Sequence, residues 1–209
     1  MKTKTVTTTR YTTDLGVELS FEPANDDDVI VTEKDGKLYV WYLVQDKNPE
    51  SPVECGDASL FLVNYHRDFD VRRDCILTKD DVRNVYWGKK PGSWAKKYWH
   101  FPLSMLSHSG VWLSLSHSFA DDSGGWDTSH VGLVLVARKY WKTGREARAA
   151  AESLVTEWNQ YLQGDVWGMC TDVFDVRTKQ LIEADSKSCW GCYDYDYCLK
   201  ELKNESEAK

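Results

Sequence analysis

Runs of apolar residues predict a series of β-strands along this chain. The strands are expected at residues 17–21, 37–44, 60–63, 111–115 and 131–136, followed by a hairpin of 166–176 and 180–190. The runs at 111–115 and 131–136 are expected to be central strands of a sheet. The dipeptide Asp35-Gly36 favours a tight turn before the second strand.

The periodicity of a helix is clearest between Thr143 and Gly164. Thr143 and Glu146 fit a capping box at its start, and Gly164 suits the left-handed conformation that ends many helices. Asp165 is expected to act as a capping carboxylate after this helix stop. The sequence therefore predicts one long amphipathic helix packed on a sheet.

Shorter helices are predicted at 79–86, where Thr78 and Asp81 form an N-cap pair, and at 195–202. The order of elements is strands, one long helix and then more strands. This order predicts an α+β fold with a mostly antiparallel sheet, packed by the long helix at about 144–163 and by one or two short helices.

A single α+β domain is expected over residues 14–202, with a flexible segment at 1–13 and a polar tail at 203–209. The 209 residues are 42% hydrophobic, enough for a sizeable core. The longest apolar run, at 131–137, has seven residues, whereas a membrane-spanning helix needs about 20. No membrane partner is therefore expected, and the chain is interpreted as cytosolic.

Charge is unevenly distributed along the chain. The formal net charge is −7, which excludes a protein that is basic all over. Residues 14–81 carry 7 basic and 17 acidic side chains, whereas residues 82–120 carry five basic side chains and no acidic one. A local basic face and a separate acidic face are both expected.

The basic aromatic block, residues 85–100, alternates lysine pairs with tryptophan and tyrosine. Lysines attract phosphates and aromatic rings stack on bases, so the block is a candidate surface for nucleic acid or an acidic groove. Its candidate binding residues are Lys89, Lys90, Trp94, Lys96, Lys97 and Trp99. The alternative is a loop held by buried aromatic residues, with its lysines merely solvated. The acidic stretch 14–81 is a second candidate surface, for a basic channel.

Cys189, Cys192 and Cys198 lie close together in the sequence. Three interpretations stay open: structural thiols, a zinc site that also needs a distant fourth ligand, and a redox pair. Asp194 and Asp196 would raise the pKa of nearby thiols, which disfavours the redox pair. No cofactor is expected, and zinc is the alternative.

An enzyme would need histidines and carboxylates to converge in one pocket. The candidate set is His66, Arg67, His108 and Asp127, but no spacing in the sequence forces these residues together. Asp127 is instead expected to cap backbone amides, and Trp126 beside it is expected to fill the core. The sequence therefore favours a non-enzymatic protein.

Five motifs, in combination and in order, resemble a family of small uncharacterised proteins from phages, prophages and plasmids. They are His66-Arg67, His108-Ser109-Gly110, Trp126-Asp127 leading to Val131-Gly132, Gln160-Tyr-Leu-Gln-Gly-Asp-Val-Trp-Gly168, and Ser188-Cys-Trp-Gly191 with Tyr193. Lys187 and Cys192 depart from the pattern, which usually has an aspartate and an aromatic residue there. The resemblance implies a mobile-element setting and transfers no catalytic role.

The resulting expectation is a viral or mobile-element accessory protein in the host cytoplasm. It would bind a host protein or nucleoprotein effector, with nucleic acid as a further candidate partner, and could counter a host defence such as a CRISPR effector. Two alternatives stay open. One is a small hydrolase acting on a nucleotide or nucleic acid through a His/Asp site, and the other is a virion component.

Overall fold

The computed structural model describes residues 16–52, 59–67, 70–71, 77–108, 110–116, 119–120, 122 and 124–208. The described residues divide into two compact units. The terminal unit comprises those up to Pro49 and from Gly164 onward, and the central unit those between Glu50 and Gln163. Within these described ranges, no helix is long and apolar enough to cross a membrane.

Strands and helices follow one another in both units. The strands are β1 (Ile30–Lys34), β2 (Lys37–Gln45), β3 (Leu60–Tyr65), β4 (Asp70–Val71), β5 (Tyr98–Ser107), β6 (Val111–Ser114), β7 (Thr128–Ala137), β8 (Val166–Asp175) and β9 (Lys187–Tyr193). The α-helices are α1 (Lys79–Tyr86), α2 (Gly144–Gln163) and α3 (Tyr195–Glu207). Two antiparallel sheets and one 20-residue helix, with shorter helices, confirm the predicted α+β fold.

The terminal unit contains a four-stranded sheet in the order β1-β2-β8-β9. The β1–β2 turn has positive φ at Asp35 (53°) and Gly36 (73°), as a two-residue hairpin turn with right-handed strand twist requires. The predicted turn is therefore confirmed. Successive residues of β2 face opposite sides of the sheet, so Tyr42 and Leu43 belong to different apolar clusters.

Residues 17–21 do not form the regular strand predicted for them. Their alternation is real, because Val17 and Leu19 are buried against one face of the terminal sheet. However, the backbone N–H of Ser20 donates to the carboxylate of Asp172 at 2.7 Å, not to the backbone of a neighbouring strand. The carboxylate of Asp172 also accepts the hydroxyl of Ser20 at 2.9 Å, so a side chain holds the segment at this residue.

The strand that returns after β8 begins later than predicted. β9 starts at Lys187, not at residue 180. The connection is held by Asp175, whose Oδ1 accepts the backbone N–H groups of Arg177 and Thr178 at 2.9 and 2.8 Å. Lys179 then takes a positive φ of 60°. The turn therefore includes residues that the alternation of apolar and polar positions would assign to a strand.

Helix α3 extends beyond its predicted end at 202 and continues to Glu207. Most of the segment predicted as a polar tail, 203–209, is therefore helical. Leu202 and Ser206 are buried, which shows that this helical end packs against the terminal unit. At the other end of α3, the carboxylate of Asp165 accepts the backbone N–H of Tyr195 at 3.2 Å and the indole N–H of Trp167. Asp165 is thus a capping carboxylate, as expected, at the start of a different helix.

The central unit contains a five-stranded sheet in the order β4-β3-β7-β5-β6. The prediction of a central strand at 131–136 is confirmed by β7, whereas β6 is an edge strand. The backbone of β6 is satisfied by side chains of α2. Leu113 donates to Asn159 Oδ1 at 2.7 Å and accepts from Asn159 Nδ2 at 2.9 Å, and Gln163 Nε2 donates to Val111 O at 3.0 Å.

Helices α1 and α2 contribute to different apolar clusters of the central unit. Helix α2 begins with the predicted capping box, since Glu146 and Thr143 exchange hydrogen bonds at 3.1 and 3.2 Å. Gly164 after its last residue has a φ of 73°, the left-handed conformation expected there. Helix α1 begins with a second capping box between Thr78 and Asp81.

Candidate functional site

The four lysines of the basic aromatic block all lie at the surface of the central unit. Lys89 and Lys90 follow α1, and Lys96 and Lys97 lie at the end of a 3-10 turn over Ser93–Lys96. All four side chains are exposed. Their charges are therefore available for contact with a partner.

Two of the three tryptophans of the block, Trp94 and Trp99, pack into the central unit. Trp94 is only 7% exposed, and its indole N–H lies 3.4 Å from Asp81 Oδ1. Trp99 donates its indole N–H to the carbonyl oxygen of Trp141 at 3.0 Å. The Arg138 guanidinium lies 3.5 Å from the centre of the Trp99 ring, covering it. This placement favours the alternative in which buried aromatic residues hold the loop, and it leaves the lysines as contact groups.

Lys96 and Lys97 line a groove of about 580 Å³ together with Arg138, Lys139 and Tyr140, which we term the cationic groove. Pairing of β5 with β7 brings these segments together, and the backbone N–H of Arg138 donates to Lys97 O at 2.9 Å. Among the described residues that line the groove, none is acidic. Four cationic side chains thus share one concave surface.

Arg138 is held in place from several sides. Its Nε lies 3.3 Å from the carbonyl oxygen of Ala95 and 3.2 Å from that of Tyr98. The guanidinium also rests on the Trp99 ring at cation–π distance. Binding an anion at Arg138 therefore costs little additional side-chain entropy.

The sequence did not identify Arg138, Lys139 and Tyr140 as site residues. They follow directly after β7, in a part of the chain whose overall charge is negative. A signal was present in the adjacent Arg-Lys-Tyr, with two cations and an aromatic residue just outside a buried strand. Only the strand register shows that these residues face Lys96 and Lys97.

The candidate catalytic residues fall into two separate places in the central unit. His66 and Arg67 line a hollow of about 690 Å³ together with His130 and Trp87, which we term the Trp87 hollow. His108 and Asp127 line a different depression of about 360 Å³. In that depression His108 Nδ1 lies 2.9 Å from Asp127 Oδ2. His108 and Asp127 are thus in hydrogen-bonding contact, but the four candidate residues do not line one common pocket.

The connection before β7 corrects two expectations. Asp122, not Asp127, caps the backbone there, accepting the N–H groups of Trp126 and Asp127 at 3.0 Å each. The hydroxyl of Thr128 also donates to Asp122, and this bond is the main cause that lowers the pKa of Asp122. Trp126 does not fill the core, since 91% of it is exposed. Asp127, one residue further on, is left to pair with His108.

The three neighbouring cysteines lie at different depths of the terminal unit. Cys189 is exposed and Cys198 is buried, whereas Cys192 is partly buried between these extremes. Burial is the main cause that raises the pKa of Cys192 to about 11 and that of Cys198 to about 12. Cys198 Sγ donates to the carbonyl oxygen of Tyr193 at 3.5 Å.

The zinc alternative requires several ligands that converge on one point. Within the described parts of the chain, no group of three or more His, Cys, Asp and Glu residues is arranged to hold a metal ion. Cys55 and Cys75 lie outside the described residues. Raised thiol pKa values also disfavour thiolate chemistry at neutral pH.

The acidic stretch 14–81 is divided between the two units. Several of its carboxylates have local structural roles. Asp81 closes the capping box of α1, and Asp28 accepts the hydroxyl of Tyr195 at 2.6 Å. These carboxylates serve local structure, which weakens the case for the stretch as one continuous acidic surface.

Two glycines of the sequence motifs lie where side chains would collide. A Cβ atom at Gly132 would lie 2.0 Å from the carbonyl oxygen of Val63, on the neighbouring strand. A Cβ atom at Gly168 would lie 2.5 Å from the ring of Trp190. Glycine at these motif positions therefore allows the neighbouring strands to pack closely.

No family model, curated protein or solved structure matches the chain.

Proposed function

We propose that this chain is a non-enzymatic binding protein that engages a polyanionic partner, a nucleic acid or a nucleoprotein. Contact would be made through the cationic groove, with Lys89 and Lys90 as flanking charges. The observation that carries the proposal is the convergence of four cationic side chains on one groove that no described acidic residue lines. Such a surface concentrates phosphates even on a protein whose net charge is negative.

The groove also offers a surface for stacking. Tyr140 is 61% exposed, and Lys139 Nζ lies 5.1 Å from the centre of its ring. Exposed aromatic rings beside cations are common in proteins that bind single-stranded nucleic acids, because every base has a flat face that can stack on a ring. Flexible lysines can follow a backbone of variable shape, while the immobilised Arg138 fixes one contact.

The net charge of −7 also bears on specificity. Repulsion from the remaining surface disfavours indiscriminate binding along a polyanion, so productive contact would be confined to the groove. In the setting that the motif resemblance implies, the partner would be a host nucleoprotein effector, including one of a CRISPR defence. The protein would act by occupying a surface of that effector.

The enzyme alternative has less support. A His/Asp hydrolase would need His66 and Arg67 beside His108 and Asp127, and these two pairs line different depressions. A virion component would form a symmetric oligomer, which light scattering of the purified chain would detect. Neither alternative uses the cationic groove.

Affinity capture from a bacterial lysate, with and without nuclease treatment, tests the proposal. The test variant carries Lys89→Glu, Lys90→Glu, Lys96→Glu and Lys97→Glu. The matched control makes the same change in charge on the terminal unit, at four exposed positions: Lys47, Arg177, Lys200 and Lys203. We expect the test variant to lose capture of nucleic acid or nucleoprotein and the control to retain it.

Fluorescence anisotropy with labelled single-stranded and double-stranded DNA and RNA measures the same contact directly. A plot of log affinity against log salt should become shallower in the test variant, by about 0.7 to 0.9 for each phosphate contact that is lost. Unchanged affinity for every nucleic acid, together with unchanged capture, would refute the proposal.

A further inference from the structure

The Trp87 hollow has an aromatic floor that is fixed before any ligand arrives. The hydroxyl of Tyr86 lies 2.5 Å from the carbonyl oxygen of Leu103 and 2.9 Å from that of Gly132. Burial raises the pKa of Tyr86, so the hydroxyl stays protonated and donates to these acceptors. The ring is therefore anchored to two strands of the central sheet.

The imidazole of His130 lies on this floor. Its ring stacks on Tyr86 with 4.6 Å between ring centres and 21° between planes. His130 Nδ1 also lies 3.1 Å from the hydroxyl of Ser104, which is fully buried. Although His130 is exposed, these two contacts set the orientation of its ring. The hollow therefore presents a flat, oriented aromatic surface.

Cationic side chains form the rim of the hollow. Arg67 extends from the end of β3, and Lys79 and Arg83 come from α1. Arg83 Nη2 lies 2.5 Å from Asp80 Oδ1, but both side chains are largely exposed, so this pair contributes little and can yield to a ligand. Among the described residues that line the hollow, none is acidic.

Trp87 completes the hollow and is 74% exposed. Because Trp87 lines the hollow beside the cationic rim, its exposed ring is available to stack on a flat group of a ligand. The volume of about 690 Å³ lies within the range of small-molecule sites. The fitting ligand combines a flat ring with a compact anion that bears more than one charge.

We infer that the Trp87 hollow binds a nucleoside 5′-phosphate, either free or as the end of a strand. The base lies against Trp87 and His130, and the phosphate lies among Arg67, Lys79 and Arg83. A phosphate suits three cations better than a carboxylate does, because it carries more charge and more acceptor oxygens. This site goes beyond the proposed function, since none of its residues lines the cationic groove.

Calorimetric titration of the full chain tests the inference with four probes: 5′-AMP, 5′-UMP, adenosine and inorganic phosphate. We expect both nucleotides to bind, and adenosine and phosphate alone to bind at least about tenfold more weakly. Tetranucleotides with and without a 5′-phosphate then distinguish the two sources of the ligand. No binding of any nucleotide or phosphorylated end at millimolar concentration would overturn the inference, as would phosphate binding as tightly as 5′-AMP.

Two variants assign the two parts of the ligand. Trp87→Ala should weaken 5′-AMP binding at least about fivefold, as expected for the loss of one base stack, without changing phosphate binding. Arg83→Gln should weaken the binding of both 5′-AMP and phosphate by about tenfold, the value of one charged hydrogen bond. All these side chains are exposed, and thermal melts should show intact folds.

Matched controls come from the same unit. Trp126→Ala removes another exposed indole, and Arg148→Gln removes another exposed arginine that pairs with a carboxylate within its own helix. Equal losses in the control variants, or none in the hollow variants, would overturn the inference. The four-lysine variant of the cationic groove should keep its 5′-AMP affinity, so failure of the proposed function would leave this result unaffected.

Discussion

The ring of Trp190 on β9 lies directly against Gly168 on the paired strand β8. The register of the two strands shifts here, between Trp167 and Met169, and Gly191 beside the ring has a φ of 77°. The indole N–H lies 3.2 Å from the hydroxyl of Ser188. The bulge therefore depends on a glycine that leaves room for the ring.

Gly168→Ala should lower the free energy of unfolding by about 1–3 kcal/mol, the usual cost of overpacking, because Trp190 must give up its contacts to move away. Urea denaturation measures the change. Gly124→Ala is the control, since its Cβ would also lie 2.5 Å from an indole, but that of Trp126, which is 91% exposed and can move. Equal effects at the two positions would contradict this interpretation of Gly168.

Tyr42→Phe should also destabilise the terminal unit. The Tyr42 hydroxyl donates to Asp172 Oδ2 at 2.7 Å, and Asp172 is only 4% exposed. Removing the donor leaves a buried carboxylate with one bond fewer, at a cost of about 1–3 kcal/mol. Chemical denaturation is again the measurement, with Tyr197→Phe as the control because Tyr197 is 60% exposed. Unchanged stability of Tyr42→Phe would show that the two bonds from Ser20 suffice.

Stability should fall at alkaline pH. Burial raises the pKa of the Cys170 thiol to about 12 and also raises the pKa of Tyr86. In the unfolded chain the pKa is about 8.5 for a thiol and about 10 for a phenol, so the unfolded chain releases protons that the folded chain retains. The free energy of unfolding should therefore decrease as pH rises from about 9 towards 12, by up to about 1.4 kcal/mol per pH unit for each such group.

Urea titrations at several pH values test this slope. Cys170→Ala should give a shallower decrease between about pH 9 and 11, whatever its effect at neutral pH. Cys189→Ala is the control, because Cys189 is exposed. A slope identical in Cys170→Ala and the parent chain would contradict the role assigned to this thiol.

The described cysteines should differ in their rates of alkylation. At pH 8, iodoacetamide should modify Cys189 at least about tenfold faster than Cys192 or Cys198, because thiolates react and burial raises the pKa of the latter two. Peptide mapping by mass spectrometry follows each site, and unfolding in urea should equalise the rates. Modification of Cys198 as fast as that of Cys189 in the folded protein would contradict its burial.

Elements with local signals were predictable from the sequence. Helix α2 has both its capping box and its terminal glycine within the sequence that forms it, so its bounds needed no tertiary information. The edge position of β6 was not predictable, because its backbone is covered by Asn159 and Gln163 from α2. Alternation indicates which face of a strand is buried but not what lies beside it.

The candidate site was predictable only in part. The lysines of residues 85–100 were apparent as an unbalanced charge, but their partners Arg138 and Lys139 lie about 40 residues away. These segments meet because Tyr98 pairs with Ala137, and the register of two strands distant in sequence is set by packing of the whole sheet. The prediction that Trp126 fills the core was wrong for a related reason, since an indole beside a turn can face either the core or the solvent.

The anchoring of α3 to Asp165, a residue about 30 positions earlier, has a consequence for the life of the molecule in a cell. A ribosome would release most of the terminal sheet before the helix that covers Trp41 and Leu43 exists. A protease that removed α3 later would expose the same patch. Either state presents an apolar surface to neighbouring chains, so aggregation would be the characteristic failure of truncated copies.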